Sequence, residues 1–211
     1  MPTDSALQAL AILRDAGQFK WYVITLLLVV IYVYAVELEK KNYRAVLAGL
    51  AFWGMDWFNE IWNALVFHFT NYAAVWMALG STAYLILIGL NIEISMMFAI
   101  MGVAATKLLP EDKNARVLGI PNRLFYAIVL SAACVFVEVI LNAAGVLVWE
   151  YPWWNAGMPI LIFLIGYLPF FLVAYWVYDM DSTRKQAMTA SAILSFDAAL
   201  LVIFGGILGW I

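Results

Sequence analysis

Six long apolar stretches, separated only by short polar links, fill this chain from residue 21 to residue 211. A helix that crosses a bilayer needs roughly 20 consecutive apolar residues. Composition agrees with that reading. The chain is 66% hydrophobic and 12% charged, with a mean hydropathy of +0.92, whereas a soluble domain is apolar over about half its residues. The expected class is an all-α polytopic membrane protein.

The first span is expected at 21–36, before "ELEKKNYR", and the second at 45–69. Residues 73–106 then stay apolar for 34 residues. As one helix they would be about 50 Å long, too long for a single crossing. "GLNIE" at 89–93 brings a glycine, an asparagine and a carboxylate together, so the run is expected to split into spans at 73–89 and 92–108. Further spans are expected at 124–149, 158–178 and 188–211. The result is a bundle of seven transmembrane helices, with six as the alternative if the long run is one broken helix. No repeat or linker divides the chain, and residues 1–211 read as one domain.

Loop charge gives an orientation. Seven spans put eight Lys and Arg on the N-terminal side and three (Lys40, Lys41, Arg44) on the other; six spans divide them nine against two. For seven spans the positive-inside rule places the N-terminus in the cytoplasm. "MPTDSALQALAILRDAGQFK" has mixed charges and a short apolar run, which fits an interfacial helix better than a cleavable signal. The net charge of −3 gives no footing for nucleic acid, and the single cysteine, Cys134, has no partner for an internal disulfide.

Against this apolar background, "GMDWFNEIWNAL" at 54–65 is the anomaly. Asp56, Asn59, Glu60 and Asn63 lie at i, i+3, i+4 and i+7, which makes one stripe on one helix face. Glu93, Glu138 and Asp197 also fall within spans. Each ionisable group in hydrocarbon costs about 2.5–3.5 kcal/mol on insertion scales and marks function by default. No lysine or arginine lies inside a span to pair with them, so a carboxyl there is expected to keep its proton and act as an acid. Glu138 and Asn142 share a face at i and i+4, continued by Cys134 and Ser131, and Ser191 and Ser195 flank Asp197. In the seven-span arrangement Glu60 and Asp197 come to similar depths and can share one site; in the six-span arrangement their depths separate.

Aromatic residues are abundant, with ten Trp, eleven Tyr and thirteen Phe. Trp21, Tyr22, Trp149 and Trp210 suit the membrane interface, while Trp53, Trp57, Trp62, Trp76 and Tyr84 lie deeper. Aromatic faces attract cations, so a dry aromatic cavity beside an acid suits a carbocation. Bland roles compete for the same residues. Polar stripes can bond helices together, Glu93 can start a helix, and "EYPWWN" can be an interfacial loop. The only histidine, His68, sits at a span end; carboxylates and amides alone could hold Mg²⁺ with a diphosphate, but no DDxxD-like pair, in-span base, phosphate loop or CxxC supports a metal or cofactor site.

A small protein with an acid on its second span and another on its last resembles the membrane-bound terpene cyclases of fungal meroterpenoid and indole-diterpene pathways and their bacterial relatives. The positions that carry the resemblance are Glu60 in "WFNEIWN" and Asp197 in "LSFDAAL". It implies that Glu60 and Asp197 are catalytic and protonate an alkene or epoxide of a prenylated substrate. Cationic cyclisation without a cofactor or metal would follow. Asp56, Asn59, Asn63, Trp53 and Trp57 would then hold the donor and shape the substrate, with Glu138 and Asn142 gripping it or taking the final proton. "FVEVILN" and the Pro- and Tyr-containing sixth span are similar, more loosely, to the emopamil-binding protein family of sterol isomerases and sterol-binding proteins. Two non-enzymatic expectations stand beside these: a proton-coupled transporter or lipid-binding protein using the same carboxylates, and a small subunit of a larger membrane complex.

Overall fold

The computed structural model describes all 211 residues. The chain is helical along most of its length. Helix α1 (Asp4–Ile12) is followed by α2 (Tyr22–Glu39), α3 (Tyr43–Thr70), α4 (Ile92–Thr106), α5 (Asn122–Ala143), α6 (Pro159–Tyr178) and α7 (Thr183–Ile207). Four of them, α2, α5, α6 and α7, are long and apolar enough to cross a membrane. Helix α3 is longer still but carries the polar stripe, and α4 is a shorter apolar helix.

Helix ends follow local chemistry. The Thr3, Asn91 and Ser182 side chains accept N–H bonds at the starts of α1, α4 and α7, satisfying donors that a first turn leaves free. Pro159 opens α6, where its missing N–H costs nothing. Asn71, in the left-handed conformation at φ +48°, ends α3.

Helix α3 is the hub, packed against α2, α4, α6 and α7. Its contacts fix the directions of its neighbours. Gly49 meets Gly102 and Trp53 reaches Ser95, so α4 is antiparallel to α3. Phe52 packs on Phe171 at 4.9 Å while Asn59 reaches Ile165, so α6 is also antiparallel. Gly54 faces Leu194, and Ile61 clusters with Leu200 and Leu201, so α7 is parallel to α3. A Cβ on Gly102 would come 2.6 Å from Phe52 Cβ and 2.9 Å from Gly49 Cα, which is why glycine occupies this crossing.

The expected third helix at 73–89 does not exist. Between α3 and α4 the chain is irregular and mostly buried, with Ala73, Ala74, Val75, Met77, Ala83, Leu85 and Leu90 fully enclosed. Hydropathy could not distinguish this segment from a helix, because it is enclosed by protein as a helix is enclosed by lipid. Its backbone groups are satisfied partly by turns within it, such as Ile86 N–H to Leu90 O at 2.8 Å, and partly from outside. Met77–Ala78 pairs antiparallel with Leu147–Val148. The Glu93 carboxylate accepts from the Ala83 N–H and the Thr82 hydroxyl, both at 2.7 Å, and from the Tyr22 hydroxyl. Arg14 donates its backbone N–H to Leu85 O at 2.9 Å and its Nε to Ile86 O at 3.1 Å. Non-helical backbone among membrane helices is tolerated only when enclosed in this way.

The bundle has two unlike ends. One holds α1, residues 73–91, the 144–158 loop and the C-terminus. The other holds the α2–α3 turn, the α4–α5 hairpin (Arg116–Val117 with Ile120–Pro121) and the α6–α7 turn. Nine of the eleven Lys and Arg lie at this second end, and only Arg14 and Lys20 at the first.

Candidate functional site

The polar face of α3 points inward along its whole length, and Asp56, Asn59, Glu60 and Asn63 are all buried. They do different things. Asn63, with no exposed surface, accepts the Val75 and Trp76 N–H groups at 2.7 and 3.2 Å and donates to Trp76 O at 2.8 Å. It is a clamp on the irregular segment. Asn59 donates to Ile165 O at 3.1 Å. Pro169, four residues on, has no N–H to give that carbonyl in a regular α-helix. Around it, Ile162–Tyr167 widens into π-helix, a distortion that recurs at functional sites.

The carboxyls are less fully engaged. Glu60 Oε1 accepts from Trp76 Nε1 at 2.8 Å, while Oε2 is buried without a partner. Glu138 Oε1 accepts from Trp149 Nε1 at 3.1 Å. Asp56 Oδ2 and both oxygens of Asp197 are buried and unpaired. Buried polar atoms are nearly always bonded, and each exception asks for an explanation.

Glu60, Asp56, Asn59 and Glu138 face one small cavity of about 70 Å³, walled by Trp76, Trp154, Tyr167, Phe98, Phe170 and Gly89. Trp76 stacks on Trp154 at 5.3 Å. Gly89 is required here, since a Cβ would lie 2.4 Å from Asn63 Nδ2 and 2.6 Å from both Glu60 Oε2 and the Trp76 ring. Met97, Glu138, Leu141 and Tyr167 also line a second, larger space of about 420 Å³ between α4 and α5, whose walls are otherwise apolar. Glu138 and Tyr167 therefore stand where an apolar cleft meets a polar chamber.

The structure does not bring every expected residue to this chamber. Asp197 lies behind it at the α3–α7 interface, beside Gly54, whose added Cβ would be 3.4 Å from Asp197 Oδ2. Asp197 is absent from the chamber lining, where Glu60 is joined by Asp56 and Glu138. Ser191 and Ser195 are exposed and turn away from Asp197. Asn142 donates to Leu147 O at 2.9 Å and holds the loop after α5. Trp53 bonds Ser95 and packs edge-on against Trp57, and neither tryptophan lines the chamber.

Of the deep aromatics the sequence points to, Trp76 lines the chamber; Trp149, Trp154 and Tyr167 are site residues that sequence reasoning misses. Trp149 and Trp154 look like interfacial residues in sequence because the loop that carries them folds back into the bundle. A usable signal was the density of "VWEYPWWNAG", which exceeds what a belt needs.

Residues 3–206 match the family model of an uncharacterized membrane protein family. A protein of Archaeoglobus fulgidus described as uncharacterized is 79% identical over 211 residues, covering the whole of both chains. A second from the same organism, described in the same words, is 83% identical over 54 residues, 26% of this chain and 96% of its own length. No solved structure matches.

Proposed function

Because the chain belongs to this membrane protein family, we propose a function performed on a molecule dissolved in the bilayer: acid-initiated isomerisation or cyclisation of a lipid-soluble alkene or epoxide. The observation that carries the reading is the aromatic-walled chamber lined by both Glu60 and Glu138, with an apolar cleft between α4 and α5 on the other side of its Met97, Glu138, Leu141 and Tyr167 wall. Glu60 is the donor. Trp76 N–H occupies Oε1, which leaves the acidic proton on Oε2, the oxygen without a partner. That proton forms a C–H bond with the alkene, or an O–H bond as an epoxide C–O bond breaks. A carbocation is left within reach of the Trp76, Trp154 and Phe98 rings, whose faces stabilise positive charge. Loss of a proton to Glu138, which starts as the carboxylate, restores an alkene, and return of that proton to Glu60 across the shared chamber resets both groups, so the reaction consumes no co-reactant. Asp56 and Asp197 stand behind Glu60 as a proton supply, and this is the role kept for Asp197 from the terpene cyclase resemblance. The small chamber favours reaction at one end of a chain over folding of a whole polyene.

The test is incubation of purified protein with prenylated acceptors, their epoxides and a sterol alkene, with products read by mass spectrometry and NMR. A product of unchanged mass with a new ring or a moved double bond, lost in Glu60→Gln, supports the reading. Conversion at the wild-type rate by Glu60→Gln or by Glu138→Gln contradicts it.

A proton-relaying carrier is the second reading, favoured by the run of carboxyls from Asp197 through Asp56 and Glu60 to Glu138. Proton flux in proteoliposomes without chemical conversion would select it.

We also infer a six-crossing path in which α2 to α7 each traverse the membrane and residues 71–91 fold back within the bundle. Both termini then lie on one side, and the nine-against-two division of Lys and Arg places that side outside. This orientation is the reverse of the one seven spans imply. Cysteine labelling from each face of sealed vesicles decides it.

A further inference from the structure

The cleft between α4 and α5 has a direction. It begins at the chamber, where Met97 and Leu141 are shared walls, and runs toward the cation-rich end past Met101 and Ala104 to Leu108 and Leu130. From Met97 to Leu108 is about 16 Å at the rise of a helix. Its width comes from small side chains, with Ala104, Ala105, Ala133 and Cys134 standing where larger residues would let the helices close. Glu138, at the chamber mouth, is its only charged residue. Met97, Leu108 and Val137 are exposed on the outer face of the bundle, so the cleft opens sideways to lipid.

We propose that this cleft holds the hydrocarbon chain of a single-chain lipid, tip first, so that the group that reacts lies at the end of the chain farthest from its head. The proposal rests on the acid chemistry assigned to the chamber only for what happens at the tip. The placement of the chain follows from the cleft itself. A head group could not follow into the chamber without leaving its charge among apolar walls. It stays at the end of the bundle that carries nine of the eleven Lys and Arg, which suits an anionic head. A chain too short to span the cleft leaves its tip short of Glu60.

Photo-crosslinking tests this without requiring turnover. Two long-chain isoprenoid phosphates are placed in phospholipid nanodiscs with the full-length protein, one carrying a diazirine at the chain tip and the other beside the phosphate. The tip probe is expected to label peptides containing Met97, Glu138 and Tyr167, and the head probe those containing Leu108 and the 112–121 hairpin. Ala104→Phe and Ala133→Trp, at positions facing open space, are expected to reduce tip labelling at least tenfold and leave the protein folded. Reversed labelling overturns the proposal, as does labelling of the outer faces of α2 and α7 as strong as that of the cleft. Expected labelling by a protein that converts no substrate supports the placement and counts against the acid chemistry; conversion with reversed labelling does the opposite.

Discussion

Asn63 and Glu60 sit less than one turn apart on the same face of the same helix, yet they serve opposite ends. Asn63 spends its amide on three bonds to an irregular backbone segment. Glu60 spends one oxygen on Trp76 and leaves the other facing a chamber. The same division runs through the molecule. On the side toward residues 73–91, polar groups are engaged in holding backbone that lipid could not hold. At Asp56, Glu60 and Asp197, carboxyl oxygens are left over. A polar stripe in a membrane helix is therefore not one feature. Amides that match backbone geometry build structure, and acids without partners are free for chemistry.

The largest expected effect breaks this comparison most directly. Glu60→Gln keeps shape and size but removes the proton, so turnover should fall about 10²–10⁴-fold, the contribution typical of a positioned general acid. Thermal stability in detergent should change little. Asn63→Ala should show the reverse pattern. It strands two buried N–H groups and a carbonyl, and stability should drop by about 3 kcal/mol or more, measured by denaturation in mixed micelles. If Asn63→Ala is stable and inactive, the division fails. Gly89→Ala sharpens it further. The new methyl would lie 2.4 Å from Asn63 Nδ2 and 2.6 Å from both Glu60 Oε2 and the Trp76 ring, so it strains the clamp and the acid at once, and turnover and melting temperature should fall together in one preparation. Asp197→Asn should reduce turnover less than Glu60→Gln, because Asp197 supplies protons from behind the chamber; equal losses would place both in direct contact with substrate. The smallest effect is expected at the exposed Asp181–Lys185 pair, where removing either charge should leave the melting temperature unchanged.

Much of this arrangement was legible in the sequence. The polar face of α3 follows from spacing alone, and Glu138 was identifiable as a carboxyl within a span. Two things were not. Residues 73–89 were read as a helix because hydropathy records apolar surroundings and not backbone conformation. Protein encloses this segment, and Asn63 and Glu93 supply the bonds that a helix would supply itself. Partnership among the acids was the other gap. Depth arithmetic paired Glu60 with Asp197 only if seven helices crossed. The fold makes α3 and α7 parallel, as in the six-span arrangement, yet the contacts of Gly54 with Asp197 and of Ile61 with Leu200 and Leu201 bring the two acids to within about one turn in depth, on different sides of α3. Rotation about the helix decided the matter, with Gly54 opening one side to Asp197 and Gly89 the other to Trp76.

The central claim is that Glu60 delivers a proton to carbon. Incubation in D₂O with a long-chain isoprenoid alkene measures this directly, since a proton moved from Glu60 becomes a deuterium in the product. The account predicts one deuterium at the former alkene, with a ring closed or the double bond moved, and none with Glu60→Gln. Product that forms without deuterium, or that is labelled equally by Glu60→Gln, would contradict it.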